Sequence, residues 1–419
     1  MRSATTGTAG RARLRLALLL SVLVVALVPG AASAESRKAA EPPQLDAASW
    51  LLIDLADEAE LAAHAPARER AIASTTKLMT AYLALAELKM GDRLTVPDYQ
   101  AAPAESVAGL IAGERLTVHD LLVAMMLPSA NDAAVTVADG VSGSESAFVA
   151  AMNRTAAELE LTGTHYANPI GLDAKGNYST AEDLSALAQK LLADKRFRRI
   201  VAMPKATLTS GSHDRIVTNT NTLLLSDPTV DGVKTGHTTD AGYVLLASAK
   251  RDGVPLLAAV LGAPTEADRD AETEQLLDYG YSLYDREVAV DRGGEEASAG
   301  VRYEDDPLPL VAKQGVTVEV RDDQRVRIDA EAPAEVEGPI ADGERLGRAT
   351  VTVDGRFVDR VPLVAARAIA APTVIDKIGG PLVVGLIVFV VIVILSGAAI
   401  ALRRHSIGGD GDDRRRRRV

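Results

Sequence analysis

An uncharged, strongly apolar segment near the carboxyl end of the chain restricts its possible folds more than any other feature. The segment covers residues 381–402 and consists mainly of Val, Ile and Leu. A helix rises about 1.5 Å per residue, so a helix of this length crosses a hydrocarbon core of about 30 Å. A buried core helix is rarely apolar on every face over such a length. Residues 381–402 are therefore predicted to form a transmembrane helix.

Arginines after this segment indicate how the chain is oriented in a membrane. Arg403 and Arg404 follow it directly, and residues 414–418 are all arginine. The positive-inside rule predicts that the tail, residues 403–419, is cytoplasmic. Beside a membrane span, the arginine run is better explained as a topology signal and a contact for lipid headgroups than as a nucleic-acid site. The net charge of -12 also argues against a nucleic-acid-binding protein.

The amino-terminal residues have the pattern of a secretory signal peptide. Three arginines between positions 11 and 15 precede an apolar stretch at 16–28, and Ala32-Ser33-Ala34 supplies small residues at the cleavage-site spacing. This stretch is short for a membrane span of about 20 residues, which favours a cleaved signal, residues 1–34, over an uncleaved anchor. We therefore expect a single-pass protein of the cell membrane, with residues 35 to about 380 outside the cell.

The first part of the exported region has the pattern of an α+β domain. A strand-like run at 50–55 and two apolar runs around Asp252-Gly253 flank a region with helical periodicity. This order predicts an antiparallel sheet with helices in residues 45–285. The predicted helices are 74–88, 180–193 and one that starts with a capping box of Thr117 and Asp120.

The following residues, 286–368, have the pattern of a small all-β domain. Asp, Gly and Pro separate short runs of alternating polar and apolar residues. The predicted strands are 316–320, 325–328, 348–353 and 357–362.

Composition and missing motifs exclude or disfavour several kinds of chemistry. The chain has no cysteine, which excludes disulfides, thiolate catalysis and zinc held by cysteine. The six histidines are scattered and no H-E-x-x-H motif occurs, so we predict no metal site and no cofactor. A Ser-His-Asp hydrolase is not favoured either, because the G-x-S-x-G elbow is missing.

One short motif places a nucleophile beside a possible base. Ser74-Thr75-Thr76-Lys77 sets a hydroxyl and an amine three residues apart, which on a helix puts both on one face. A serine hydroxyl is a weak nucleophile without an adjacent base, and a lysine can be that base if burial lowers its pKa. The motif fixes only two positions, so on its own it is more often a capping serine and a surface lysine.

Two further motifs occur later in the chain. Ser129-Ala130-Asn131 follows the second predicted helix, where the serine can relay a proton and the asparagine amide can hold a lysine and a substrate carbonyl. Lys234-Thr235-Gly236 is expected at the start of the strand of the late hairpin. There Lys and Thr can bind a carboxylate, and Gly allows close approach of a substrate backbone. Taken singly, the two motifs are explained as a polar turn and a solvated edge-strand lysine.

Together, the three motifs resemble the set Ser-x-x-Lys, Ser-x-Asn and Lys-Thr-Gly of the low-molecular-weight penicillin-binding proteins that act as D-alanyl-D-alanine carboxypeptidases. The resemblance covers roughly residues 45–285, and the β domain is similar in a less specific way. Ala130 departs from the glycine that is common in the family, a change too small to alter the chemistry. The segments similar to the family are 73–80, 128–133, 168–173, 177–181 and 231–238.

The resemblance implies a penicillin-binding/β-lactamase-like transpeptidase fold and a set of catalytic roles. Ser74 is expected to be the nucleophile and Lys77 its general base. Ser129 is expected to pass the proton to the leaving D-Ala nitrogen. Asn131 is expected to orient Lys77 and the substrate amide.

The same resemblance implies how substrate is bound. Lys234 and Thr235 are expected to bind the terminal carboxylate of a peptidoglycan stem peptide, beside Gly236. The oxyanion hole is expected to consist of the backbone N–H groups of Ser74 and His237, so the His237 imidazole is not a catalytic group. β-Lactam antibiotics are the expected covalent inhibitors.

Two alternatives from other functional classes are kept. A class A-like β-lactamase shares the fold but needs a positioned carboxylate for deacylation. Glu160-Leu161 is similar to such a loop, yet Thr162 and Gly163 stand where an asparagine is expected shortly after it. An inactive wall-binding homologue is the other alternative, against which the intact motifs argue. The balance of carboxypeptidase, endopeptidase and transpeptidase activity is left open by the sequence.

Overall fold

The computed structural model of the protein describes residues 41–377 and 380–408. The predicted signal peptide, residues 1–34, and most of the predicted cytoplasmic tail, residues 409–419, lie outside the described residues.

The first domain alternates strands and helices as an α+β fold. A single 3₁₀ turn, Ala73–Thr76, comes directly before its first helix. In chain order its elements are β1 (Ser49–Asp54), β2 (Glu60–His64), α1 (Lys77–Glu87), β3 (Arg93–Thr95), β4 (Arg115–Thr117), α2 (Val118–Met126), α3 (Asn131–Ser142), α4 (Glu145–Glu158), α5 (Ala181–Ala193), α6 (Lys195–Val201), β5 (Lys205–Leu208), β6 (Arg215–Thr218), α7 (Thr222–Ser226), β7 (Val230–Thr238), β8 (Gly242–Arg251), β9 (Val254–Ala263) and α8 (Glu266–Ser282).

A five-stranded antiparallel sheet forms the framework of this domain, with strand order β2-β1-β9-β8-β7. Successive strand residues point to opposite faces. Leu51 therefore joins the core beneath α1, α2, α3 and α5, whereas Leu52 joins a second core beneath α8. Because helices cover both faces, all six residues of β1 are buried.

Several elements agree with the sequence predictions, because their signals are local. The predicted helix 74–88 is confirmed, with its first turn in 3₁₀ form. The Thr117 hydroxyl caps α2 by accepting a hydrogen bond from the backbone N–H of Asp120 at 3.2 Å. Asp252 and Gly253 both have positive φ and form the tight turn of the β8–β9 hairpin, as such a dipeptide predicts.

The Lys-Thr-Gly motif lies elsewhere than predicted. It does not begin a strand of the β8–β9 hairpin. Instead it occupies the middle of β7, a separate strand at the edge of the sheet. The reason is that β7 pairs with β8 along its length, with Lys234 opposite Leu246, so the extended segment starts before the motif. Helix α3, which starts at Asn131, was also not predicted.

The second domain is all β, as predicted. Its main sheet has six strands in the order β14-β16-β17-β12-β11-β15, and β10 pairs with β13. In chain order its strands are β10 (Tyr284–Val290), β11 (Glu295–Val301), β12 (Leu308–Ala312), β13 (Val316–Arg321), β14 (Val326–Glu331), β15 (Glu335–Val336), β16 (Arg345–Val353) and β17 (Arg356–Ala365).

A buried ion-pair cluster joins the two domains. The Arg321 guanidinium, at the end of β13, donates to Asp54 at 2.6 Å, to Asp57 at 2.7 Å and to the Tyr284 hydroxyl at 2.9 Å. The Arg321 and Asp54 side chains are only 7% and 2% exposed. We call these four residues the Arg321 joint. A planar guanidinium that meets two carboxylates is well suited to fix an orientation.

Two helices end the described chain, α9 (Val374–Lys377) and α10 (Gly380–Gly408). Within α10, an 18-residue window of Gly380–Arg404 has a mean hydropathy of 3.1, and the apolar side chains of the helix are exposed. Among the described residues it is the one helix long and apolar enough to cross a membrane. It therefore fits a membrane anchor, as residues 381–402 predict.

Candidate active site

A cleft of about 510 Å³ opens beside the first turn of α1. Its walls come from the 3₁₀ turn, from an irregular loop at 97–113, from the start of α3, from the loop at 168–173 and from the end of β7. Of the residues predicted to form the site, Ser74, Asn131 and His237 line this cleft. The side chains of the other predicted residues, Lys77, Ser129, Lys234 and Thr235, are buried, and Gly236 has none.

Ser74 and Lys77 form a hydrogen-bonded pair at the base of the cleft. The Nζ atom of Lys77 is 2.9 Å from the Oγ atom of Ser74 and donates to the carbonyl of Ile170 at 2.6 Å. Lys77 is completely buried, whereas Ser74 reaches the cleft. The backbone before the serine is unusual, since Ala73 has φ +47, in the left-handed region that few non-glycine residues adopt.

The environment of Lys77 favours a neutral amine. Burial lowers the pKa of Lys77 well below its usual value, and the nearby charge of Lys234 lowers it further. The carboxylates of Glu105 and Asp132 act in the opposite direction. A buried lysine of this kind can accept the proton of the neighbouring hydroxyl, which an ordinary surface lysine cannot do near neutral pH.

The loop at 168–173 places a backbone carbonyl against the lysine. Asn168 Oδ1 accepts hydrogen bonds from the N–H groups of Ile170 at 3.2 Å and Gly171 at 2.6 Å, and so holds the turn. Gly171 has φ +90, and a Cβ atom there would lie 2.0 Å from the carbonyl oxygen of Ala73. Only glycine therefore fits here, and the close approach lets the Ile170 carbonyl reach Lys77.

Ser129 lies in the turn between α2 and α3, and Asn131 is the first residue of α3. Ser129 has φ +64 and is 7% exposed, and its Oγ atom has no hydrogen-bond partner in the described part of the chain. The Asn131 side-chain nitrogen donates to Glu105 Oε2 at 2.8 Å. Within residues 41–377, no hydrogen bond joins Asn131 to Lys77, although we expected Asn131 to orient that lysine.

The third motif lies in β7 and consists of Lys234, Thr235 and Gly236. Lys234 is 1% exposed and its Nζ atom donates to the carbonyl of Thr235 at 2.9 Å. Burial, together with the charge of Arg269, lowers the pKa of Lys234 to about 7. A solvated edge-strand lysine, which is the explanation of the motif taken alone, does not fit this burial. The Thr235 hydroxyl is 2.6 Å from that of Thr220.

Gly236 brings β7 against the turn that carries the serine. A Cβ atom at this position would lie 3.1 Å from the backbone nitrogen of Ser74 and from the carbonyl oxygen of Ile72. The next residue, His237, stacks its ring on Tyr243 with centroids 4.0 Å apart. The backbone of His237 therefore lies on the same edge of the sheet as the Ser74 turn, while its imidazole is engaged with an aromatic ring.

Two acidic residues of the cleft were not predicted. Glu105 accepts hydrogen bonds from the Tyr99 hydroxyl, from Asn131 and from the backbone N–H of Ala102. Asp173 accepts from the Thr238 hydroxyl at 2.6 Å and so joins the loop at 168–173 to the end of β7. Asp173 lies in a segment similar to the family, but Glu105 is a single acid in an Ala-rich stretch and carries no sequence signal.

No group of three or more His, Cys, Asp or Glu residues in the described ranges is arranged to hold a metal ion.

Family models match both domains of the chain. One described as D-alanyl-D-alanine carboxypeptidase matches residues 36–265, which is more than half of the chain. Another, described as Penicillin-binding protein 5, C-terminal domain, matches residues 284–371.

Individual relatives extend along most of the chain. The D-alanyl-D-alanine carboxypeptidase DacF of Bacillus subtilis is 31% identical over 369 residues, covering 84% of this chain and 93% of the relative. DacA of Escherichia coli is 32% identical over 352 residues, covering 80% and 87%. The solved structure of penicillin binding protein 5 from Haemophilus influenzae superposes with a TM-score of 0.56 at 28% identity, covering 79% of this chain and 99% of that one. The chain is therefore a low-molecular-weight penicillin-binding protein and belongs to the D-alanyl-D-alanine carboxypeptidase family.

Proposed function

We propose that this protein, a serine-type D-Ala-D-Ala carboxypeptidase, removes the terminal D-alanine of peptidoglycan stem peptides through an acyl-enzyme on Ser74. The observation that carries the proposal is the Ser74–Lys77 pair. A cleft-facing hydroxyl is hydrogen-bonded at 2.9 Å to a completely buried amine whose pKa burial lowers. This is a nucleophile with its base already in reach.

In the first step Lys77 acts as general base. Its neutral amine takes the hydroxyl proton as Ser74 Oγ attacks the carbonyl carbon that joins the two terminal D-alanines. Negative charge then develops on the carbonyl oxygen, and the backbone N–H groups of Ser74 and His237 stabilise it. Gly236 makes this possible, because it lets β7 lie against the Ser74 backbone.

In the second step the C–N bond breaks and D-alanine leaves. Ser129 donates a proton to the departing nitrogen and is reprotonated from the Lys77 ammonium. The buried Ser129 Oγ atom has no partner among the described residues, so its hydrogen bond is available for this relay. Water then attacks the ester carbonyl, and Ser74 recovers its proton as the shortened peptide is released.

The carboxylate of the terminal D-alanine is bound by Lys234 and Thr235 in this proposal. Lys234 is held in a dry site where its ammonium form is disfavoured, and an incoming carboxylate supplies the missing counter-charge. A β-lactam presents a carboxylate and a reactive carbonyl to the same groups, so we propose β-lactams as covalent inhibitors. The β-lactamase alternative is not favoured. Glu160 is exposed two residues after the end of α4 and does not line the cleft.

We assign catalysis to residues 45–285 and a separate β domain to 286–368, and we place both outside the cell. The apolar helix at 381–402 then anchors the protein in the cell membrane, with the tail 403–419 in the cytoplasm. The arginines that follow the helix support this orientation.

The proposal is tested with a pentapeptide that ends in D-Ala-D-Ala, by measuring D-alanine release by the wild-type protein and by Ser74→Ala. Release by the wild type alone supports the proposal. No release by the wild type, or equal release by both proteins, contradicts it.

A further inference from the structure

The loop at 97–113 packs on the beginning of α3 and places one carboxylate in the cleft. The backbone N–H of Asn131 donates to the Ser106 carbonyl at 2.8 Å. The Asp132 carboxylate accepts from the N–H groups of Ala108 at 3.0 Å and Leu110 at 2.9 Å. The loop is therefore attached to α3 just after Glu105, whose side chain lines the cleft with Ser74.

The hydrogen bond from Asn131 to Glu105 determines which way the asparagine amide points. An ionised carboxylate only accepts hydrogen bonds, so it selects the amide nitrogen of Asn131 and not its oxygen. The nitrogen lies 2.8 Å from Glu105 Oε2. Because the amide is planar, its oxygen then points away from Glu105 and is available to accept the N–H of a bound peptide.

The ionised form of Glu105 is itself favoured by its contacts. Burial alone would raise its pKa, but hydrogen bonds from Tyr99, from the Ala102 backbone and from Asn131 hold the pKa of Glu105 below its usual value. The carboxylate is thus negative at neutral pH. The Glu105 carboxylate also acts on the charge state of Lys77. Glu105 and Asp132 favour the ammonium form of Lys77, whereas Lys234 disfavours it.

We propose that Glu105 is a positioning residue that orients the Asn131 amide for the substrate and supplies negative charge beside Lys77. This inference rests on the proposed function of Ser74 and Lys77. It assigns Glu105 two separable effects on acylation, one through a hydrogen bond and one through charge. The competing explanation is that Glu105 only holds the loop together, through Tyr99 and the backbone of Ala102.

The test measures the second-order rate constant of acylation by a fluorescent penicillin between pH 4 and 10, for wild type, Glu105→Gln, Glu105→Asp, Tyr99→Phe and Asp98→Asn. Tyr99→Phe removes a loop contact of Glu105 but keeps its carboxylate and Asn131. Asp98→Asn removes another carboxylate of the same loop, one that accepts a hydrogen bond from the Gln100 side chain at 2.6 Å. Thermal melting establishes that each variant is folded.

Glu105→Gln is expected to lower the rate plateau about tenfold, because a glutamine amide no longer selects one orientation of Asn131. Its acid limb should also move to lower pH, since the loss of a negative charge makes the Lys77 amine easier to deprotonate. Glu105→Asp should keep the acid limb at the wild-type pH, with a lowered plateau. Tyr99→Phe and Asp98→Asn should stay within about twofold of wild type.

Two results would overturn the inference. One is a Glu105→Gln profile that coincides with the wild-type profile. The other is a Tyr99→Phe profile with the same plateau loss and the same limb shift as Glu105→Gln, which would assign the effect to loop packing. If Glu105→Gln does not fold, Glu105→Asp decides, and a wild-type plateau in that variant refutes the positioning role. Failure of the wild type to be acylated, or acylation of Ser74→Ala, would instead refute the proposed function.

Discussion

The Nζ atom of Lys77 lies 2.9 Å from the Oγ atom of Ser74 although the lysine has no exposed surface at all. The two atoms differ in environment, because the hydroxyl faces the cleft and the amine is held in the domain interior against the carbonyl of Ile170. Because the two atoms are close and the amine is buried, the Ser74 hydroxyl can transfer its proton to Lys77, although a serine hydroxyl in water stays protonated. The acylation that we propose depends on this pair.

Replacement of Ser74 by alanine is expected to abolish covalent labelling by penicillin. The change removes the only hydroxyl that lies within hydrogen-bond distance of Lys77 in the described part of the chain. The substitution removes one atom at the cleft surface, so the melting temperature should change little. Mass spectrometry of the labelled protein checks the site, with Ser106→Ala, a second cleft serine, as the control. An acyl group found on another serine would refute the assignment.

Substrate binding is expected to weaken as the pH rises above about 7, because burial and Arg269 set the pKa of Lys234 near that value. Below this pH the ammonium is present and attracts the substrate carboxylate. Above it, binding must be accompanied by proton uptake, so KM should rise by up to about tenfold per pH unit. Lys234→Arg should abolish this dependence, since a guanidinium stays charged. A wild-type KM that is constant from pH 7 to pH 9 would contradict the prediction.

Lys234→Ala and amidation of the substrate terminus should have non-additive effects on kcat/KM. Each change removes one half of the same charge-assisted contact, so the second change has little left to remove. The four rate constants of the double cycle provide the measurement. Losses that multiply would show that the carboxylate is bound elsewhere.

Arg321→Ala is expected to lower the free energy of unfolding by about 3–5 kcal/mol, because it leaves the buried Asp54 carboxylate without its positively charged partner. Denaturant unfolding provides the measurement. The matched control is Arg302→Ala, whose ion pair with Glu335 is about half exposed on both sides and should contribute much less, because water and salt screen it. Equal losses in the two variants would show that the Arg321 joint does not stabilise the fold.

Truncation after Ala371 should release a water-soluble, active enzyme. The cut removes the apolar helix but keeps Ile369, which is 3% exposed and pairs with Ile340 in the β domain. Fractionation of cells that express the shortened chain, followed by penicillin labelling of the soluble part, tests this. Sedimentation of the truncated protein with membranes would show that the β domain itself binds lipid.

Local patterns in the sequence were sufficient to predict much of the fold. The capping box at Thr117, the Asp252-Gly253 turn and the apolar helix depend on residues that are close in the chain. The three motifs were recognised by their order and their resemblance to a family. These motifs are defined by residue types and their spacing, so they can be found without knowing how the chain packs.

Features that depend on distant residues could not be predicted in this way. Lys234 is on an edge strand, which predicts exposure, and only tertiary packing makes it dry. The Ile170 carbonyl reaches Lys77 because Gly171 fits against Ala73, a contact between segments about a hundred residues apart. The place of Glu105 in the cleft could not be predicted for the same reason. Its partner Asn131 belongs to α3, a helix that the sequence analysis did not predict.

The Arg321 joint also limits how far the cleft can move from the apolar helix. Since this joint fixes the β domain to the catalytic domain, the distance between the cleft and the apolar helix is limited by the ten residues of sequence between Ile369 and Gly380. Ten residues reach roughly 35 Å when fully extended, and the helical turn Val374–Lys377 shortens this length. In the topology that we propose, an enzyme tethered in this way samples a thin layer next to its anchor, so the density of stem peptides within that layer, and not the average over the wall, sets its working substrate concentration.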